Sequence, residues 1–256
     1  MEEIKQPVIR VRDLDLSYDD YPVMRGLNFS VNKGDIFVVM GGSGCGKSTL
    51  LKALIGLKEP DKGEVLYDGV DFWGQDETAR QDMMRRFGVL YQGGALWSSL
   101  TIGENVALPL QLYSKLSAAQ IKEMVELKLA LVGLSGYADF YPAQISGGMR
   151  KRAGLARAIA LDPDIIFFDE PSSGLDPLSG KLLDDLILQL RDTLGATIVI
   201  VTHELASIFA VGTSAVLLDA ESKSMIASGS PAELLADSKD PRVIQFLTRG
   251  RKQGVH

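Results

Sequence analysis

The stretch Gly41-Gly42-Ser43-Gly44-Cys45-Gly46-Lys47-Ser48 fits G-x-x-x-x-G-K-[ST] at every fixed position. It follows the apolar run Ile36-Phe37-Val38-Val39-Met40, which reads as a buried parallel strand. Beyond it, Thr49-Leu50-Leu51-Lys52-Ala53-Leu54-Ile55 reads as a helix closed by Gly56. Strand, loop and helix in that order are the setting a phosphate-binding loop requires. Glycines let the backbone wrap a polyphosphate without Cβ clashes, so that amide N–H groups converge on its oxygens. The helix N-terminus adds partial positive charge at the same place. Lys47 would reach the β- and γ-phosphates, and the Ser48 hydroxyl would ligate Mg2+. A plain glycine-rich turn is the alternative, disfavoured by the flanking strand and helix.

Working outward, 256 residues can bury a substantial core, as one domain or as one domain with an inserted lobe. No apolar run approaches the roughly 18–20 residues needed to cross a bilayer. The charged Met1-Glu2-Glu3-Ile4-Lys5-Gln6 does not read as a secretory signal, and cytoplasmic residence is the default expectation. A single cysteine, Cys45, excludes an intrachain disulfide and a cysteine metal cluster. The net charge of −6 argues against general attraction to nucleic acid. The one basic cluster, Arg150-Lys151-Arg152 with Arg157, reads as a solvated helix face, with contacts to a partner or a phosphate as the alternative.

Up to Asp35 the chain alternates and turns like a small antiparallel sheet, with strands expected at Val8–Val11, Leu14–Tyr18 and Leu27–Val31. Further strands are expected within Gly63–Gly69 and at Phe87–Gln92. From about Gly93 to Ala160 the pattern turns helical, with Ser117 capping a helix over Ala118–Val132. Parallel-strand runs return at Ile165–Phe168 and Thr197–Val201, with helical periodicity from Leu178 to Leu194 between them. The coarse picture is a strand–helix–strand core interrupted by a helical segment, ending in a polar tail expected to be disordered.

A phosphate loop alone leaves kinases, GTPases and many ATPases open. The run Ile165-Ile166-Phe167-Phe168-Asp169-Glu170 narrows the choice. Asp169 ends a buried strand, where its carboxylate would orient Mg2+ through water. Glu170 would face the γ-phosphate and polarise the attacking water; the alternative is that the two acids cap the next helix. A third element, Ile145-Ser146-Gly147-Gly148-Met149-Arg150-Lys151-Arg152, opens a helix running to Ala160. A serine N-cap there is by itself a modest signal.

Taken together and in this order, these motifs resemble the ATP-binding cassette (ABC) family, the motor subunits of ABC transporters, across nearly the whole chain. Ser146-Gly147-Gly148 looks like that family's signature motif, with Met149 where glutamine is usual. The resemblance implies an α/β fold: a P-loop NTPase, ABC-type nucleotide-binding domain with an antiparallel β lobe and an inserted α-helical lobe. Residues 1–248 would form this one domain, with the helical lobe at about 93–160 and a polar tail at 249–256. It implies ATP and Mg2+ as ligands, with ATP contacts from 41–48 and Thr49. Tyr18 looks like the residue that stacks on adenine; Tyr21 is the weaker candidate, and a core tyrosine is the plain reading of Tyr18. Gln92 resembles the glutamine that touches Mg2+ and reports nucleotide state to a membrane partner, and Ser173-Gly174-Leu175-Asp176 the loop that crosses between two subunits. His203, in Thr202-His203-Glu204, resembles the switch histidine that holds the γ-phosphate. Two copies would close head to tail, with Ser146, Gly147 and Gly148 of one acting on the ATP of the other.

Three finer segments resemble the motors of MCE-type lipid transporters, including the Mla phospholipid and toluene-tolerance systems. They are Tyr91–Thr101 followed by Glu104–Leu110, the methionine-bearing signature, and Thr202–Ala210. The resemblance implies a peripheral subunit on the cytoplasmic face of the inner membrane, paired with transmembrane permease subunits. An MCE substrate-binding protein and a small regulatory subunit are further expected partners, and nucleic acid is not. Ala95-Leu96-Trp97 is the candidate permease-docking surface, with packing of the helical lobe as its alternative. The motor of another importer or exporter, or less readily a soluble cassette ATPase, remains open. Two departures stand out. Gln245-Phe246-Leu247-Thr248-Arg249-Gly250 is followed by a short polar tail, so the C-terminal clasp some such motors carry is not assumed here. Val211-Gly212-Thr213-Ser214 lacks the Asp-Arg pair common after the switch histidine, which puts local packing there in question.

Overall fold

A computed structural model describes residues Pro7–Arg249, which fall into two compact units, 7–80 with 199–249, and 81–198. The expected tail lies almost wholly outside these residues.

The first unit opens with two long strands, β1 (Pro7–Tyr18) and β2 (Tyr21–Asn32), paired antiparallel. The three shorter strands expected here are two of twelve residues each. Asp13, at φ 45°, sits where the register of β1 shifts between Val11 and Leu14, so the strand passes through a bulge instead of ending. Next come β3 (Ile36–Gly41), buried at every position, and α1 (Lys47–Leu54). Then follow β4 (Lys62–Tyr67), β5 (Val70–Asp71) and α2 (Glu77–Met84), which leads into the second unit. β2, β1, β4 and β5 form one antiparallel sheet in that order.

In the second unit, β6 (Phe87–Leu90) precedes α3 (Ile102–Tyr113), α4 (Ala118–Leu131) and α5 (Gly147–Ala158). The helical stretch is thus three α-helices with one 3-10 turn, Pro142–Gln144, before the last. Thr101 with Glu104 and Ser117 with Gln120 make reciprocal capping boxes, satisfying N–H groups that a helix start leaves orphaned. β7 (Ile165–Asp169) lies parallel to β6, and α6 (Pro177–Leu194) starts on an Asp176 cap and ends at Gly195 in the left-handed region. β8 (Thr197–Thr202) carries the chain back.

The remaining elements are α7 (Leu205–Val211), β9 (Ser214–Asp219), β10 (Ser224–Gly229), α8 (Pro231–Asp237) and α9 (Pro241–Thr248). β10, β9, β3 and β8 lie side by side in that order, and β9 runs parallel to β3. Val38, Met40, Ile208, Ala215, Leu217, Leu234, Val243 and Leu247 form a core between these strands and the C-terminal helices. At the missing Asp-Arg pair, Thr213 closes the gap: the Ile36 N–H donates to Thr213 Oγ1 at 2.9 Å, and the Thr213 N–H donates to Ile36 O at 2.9 Å. No helix among the described residues is long and apolar enough to cross a membrane.

Candidate functional site

In the first unit the chain leaves β3 at Gly41, bends through the loop and enters α1 at Lys47. A Cβ on Gly41 would lie 2.5 Å from Cys45 Sγ and 2.6 Å from Leu218 O, so only glycine fits that strand end. Gly46, at φ 94°, begins α1 without a side-chain cap, so the loop backbone meets the positive end of the helix directly. Gly42, Ser43, Gly44 and Ser48 are exposed, whereas Cys45, Lys47 and Thr49 are buried. Lys47 folds back into the loop, its Nζ donating to Gly41 O at 3.0 Å and Gly42 O at 2.9 Å. Burial pushes the Cys45 thiol up, against the charge of Lys47, so Cys45 is packing rather than a nucleophile.

Tyr18, at the end of β1, is 46% exposed with Lys58 Nζ 4.5 Å from its ring centroid, so the reading of a core tyrosine is wrong. Tyr21 is more exposed and has Lys223 Nζ 4.4 Å from its centroid. His203 follows β8, exposed, with Nε2 3.7 Å from the Glu204 carboxylate, which also accepts from Arg249 at 3.1 Å.

In the second unit Asp169 closes β7, and Glu170 follows at φ 48°. A non-glycine residue in the left-handed region is held there by its surroundings, and such positions cluster at functional sites. The Ser173 N–H donates to Glu170 O at 3.2 Å, closing a turn, and Gln92 Nε2 donates to Ser173 Oγ at 3.4 Å. The structure therefore ties Gln92 to the segment that follows Glu170.

Asp176 caps α6 by accepting from the Leu178 and Ser179 N–H groups and the Ser179 hydroxyl. The Ser179 hydroxyl and N–H hold its carboxylate below the usual range. Ser146 caps α5, its hydroxyl accepting from the Met149 N–H at 3.2 Å. Gly148 lies so close to the same Ser179 that a Cβ there would stand 3.6 Å from its Oγ. The start of α5 and the start of α6 are thereby neighbours.

The basic cluster is not a solvated face. Lys151 is 7% exposed and donates from Nζ to Pro171 O, at 2.6 Å, and to Ser173 O. Arg150 bonds Ile145 O, Arg152 bonds Val132 O and Gly133 O, and Arg157 bonds Gly94 O and Ala95 O. All four cations serve backbone carbonyls, because loops packed against a helix leave acceptors that lack secondary-structure partners. Burial pulls the Lys151 ammonium below its ordinary range, while the charge of Glu170 acts the other way.

Sequence reasoning also passed over Asn105. Fully buried, it accepts from the Trp97 N–H and donates to Trp97 O, Leu100 O and Thr101 O, shaping the loop after Gln92. On that loop Trp97 is 59% exposed.

A glycine-built loop between a buried strand and an uncapped helix start, with a lysine folded into it, marks a P-loop nucleotide-binding ATPase. A family model described as ABC transporter matches residues 24–173, and the chain belongs to that family. It is an ATP-hydrolysing transport ATPase of α/β fold. Over 251 residues it is 40% identical to the intermembrane phospholipid transport system ATP-binding protein MlaF of Haemophilus influenzae, covering 98% of this chain and 94% of that one. It is 41% identical over 246 residues to the probable ribonucleotide transport ATP-binding protein mkl of Mycobacterium leprae, covering 96% of this chain and 70% of that one. Among solved structures, a dimeric ATP-binding cassette in a post-hydrolysis state bound to ADP and Pi superposes with a TM-score of 0.78 at 27% identity, covering 87% of this chain and 98% of that one.

Proposed function

We propose that this ATPase drives a phospholipid transporter of the MCE/Mla type. What carries the reading is the match along nearly the full length of both chains to a phospholipid-transport ATP-binding protein. The ribonucleotide-transport relative is as similar over this chain, which fits a motor whose cargo is chosen by its permease.

The roles follow from local chemistry. Amide N–H groups of 41–48 and the start of α1 receive the phosphates, with Lys47 moving from its carbonyl partners to the β- and γ-oxygens. Tyr18 offers an exposed ring for adenine. Glu170 polarises the attacking water and His203 holds the γ-phosphate. Ser48, Gln92 and, through water, Asp169 would hold Mg2+. A hydroxyl, an amide oxygen and a carboxylate suit a cation that keeps several waters, and no group of three or more His, Cys, Asp or Glu among the described residues offers an all-protein cage. When bound, Mg2+ neutralises charge on the β- and γ-oxygens.

Support for a homodimer comes from the dimeric relative and from the Ser146 cap, whose helix would present its N-terminus to the partner's γ-phosphate. Turnover should then rise more than linearly with protein concentration; a fully active monomer would refute this. Trp97 and Ala95, exposed beside Gln92 in sequence, are the proposed permease contact, on the cytoplasmic face of the inner membrane. The deciding experiment is to purify the native complex from membranes and identify what it carries. Bound phospholipid and a copurifying MCE protein are expected; ribonucleotide stimulation of ATPase activity without lipid would replace this reading with the other.

A further inference from the structure

We propose that Lys151 is a positioning residue for hydrolysis, holding the turn from Glu170 to Ser173 in the conformation that aims the Glu170 carboxylate. The proposal rests on the reading of Glu170 as the residue that polarises water.

Lys151 lies in the first turns of α5 with its side chain buried, so its ammonium must find its acceptors inside the protein. It finds Pro171 O and Ser173 O, on either side of Ser172 and directly after Glu170. The Ser173 N–H returns to Glu170 O, so one short turn is clamped from within by a backbone bond and from outside by one cation. Glu170 itself is at φ 48°. A left-handed conformation on a residue with a side chain persists only where neighbours over-determine it, and Lys151 supplies two of the determining bonds.

The clamp has a second consequence. α5 is one rigid element from the Ser146 cap onward, and Gly148 packs beside Ser179, the partner of Asp176. A shift of the helix start is therefore passed through Lys151 to the turn after Glu170. The signature serine and the hydrolytic carboxylate share one lever.

The test uses the full chain and Mg-ATP, comparing the wild type with K151M, K151Q, K151R and E170Q for ATP affinity, kcat and KM. K151M should bind ATP within about twofold of the wild type and lose about 30-fold in kcat, with KM within about threefold, since the contact orients a group that acts only in the transition state. K151R, which can still donate to both carbonyls, should recover to within about fivefold. K151Q is one bond shorter and reaches one carbonyl, so an intermediate loss of about fivefold is expected.

Wild-type kcat in K151M overturns the proposal. So does a loss in which ATP affinity and thermal midpoint fall together with kcat and K151R restores none of them, because that pattern is a packing role. Should K151M fail to fold, K151Q decides: unchanged kcat overturns the proposal, and reduced kcat with unchanged affinity upholds it. Full turnover in E170Q removes the Glu170 assignment and the proposal with it; an inactive E170Q beside a fully active K151M removes the Lys151 role alone.

Discussion

Two buried lysines, one in each unit, do the same thing to different backbones. Lys47 Nζ donates to Gly41 O and Gly42 O; Lys151 Nζ donates to Pro171 O and Ser173 O. Around Lys47 the unusual backbone falls on glycines, with Gly44 at φ 75° and Gly46 at φ 94°, where it costs almost nothing. Around Lys151 it falls on Glu170, whose proposed role needs a side chain, so the conformation must be enforced from outside. The phosphate loop is shaped by its own composition, whereas the turn from Glu170 to Ser173 is shaped by tertiary bonds. Binding and turnover should accordingly fail independently.

The hardest test of that separation is Glu170→Gln. If Glu170 polarises the attacking water as proposed, removing its charge while keeping its shape should lower turnover by about 10²–10⁴-fold and leave ATP affinity near that of the wild type. Rapid-quench hydrolysis beside equilibrium binding reads both; a parallel fall in affinity would mean the two regions are not separable. Lys47→Ala probes the other side. Losing a charged donor to phosphate should weaken ATP binding by about 10–100-fold, corresponding to roughly 1.5–3 kcal/mol. Nucleotide titration checks this, and unchanged affinity would remove Lys47 from the site.

Gly41→Ala sharpens the claim that the loop is fixed by residue type. The new methyl would meet Cys45 Sγ at 2.5 Å and the Leu218 carbonyl at 2.6 Å, and a backbone oxygen in β9 cannot swing aside. A loss of about 1–3 kcal/mol is expected, as for overpacking elsewhere, lowering the melting temperature by several degrees. A variant as stable as the wild type would show that the strand end is not tightly packed.

The same contrast explains what could be read from sequence. The phosphate loop, β3 and β7 were legible because composition is their mechanism: glycines at fixed spacing, and apolar runs too short for anything but a buried strand. So was the α4 cap, where Ser117 stands directly before the helical run, although its partner Gln120 was not read. Lys151 was not legible, since three consecutive cations on a helix normally face water. Its burial depends on carbonyls some twenty residues away in sequence, at Pro171 and Ser173. Asn105 was missed for the same reason: its four bonds gather a loop, and nothing adjacent in sequence predicts a fully buried amide. Two strands, Val8–Val11 and Leu14–Tyr18, were expected where β1 is one, because β4 pairs along both sides of the bulge and keeps the strand whole.

The smallest expected effect concerns how the C-terminal helix is fastened to the first unit. Asp219, the last residue of β9, accepts from the Ser222 N–H at 2.8 Å and from Arg242 of α9 at 3.1 Å. The Ser222 N–H and then its hydroxyl hold this carboxylate below the usual range against the opposing effect of burial, and the charge of Arg242 adds a smaller pull in the same direction. A depressed carboxylate stabilises the fold in full above its unfolded value, about 3.9, and loses that contribution as pH falls through its lower folded value. Asp219→Asn should therefore cost about 1 kcal/mol at pH 7, the net worth of a typical intramolecular hydrogen bond. The gap from the wild type should stay constant down to about pH 5 and narrow below about pH 4. Urea midpoints across that range measure it. A gap that held its size into acid would mean that Asp219 works through shape alone, and that here too residue type, not a charged bond, does the fastening.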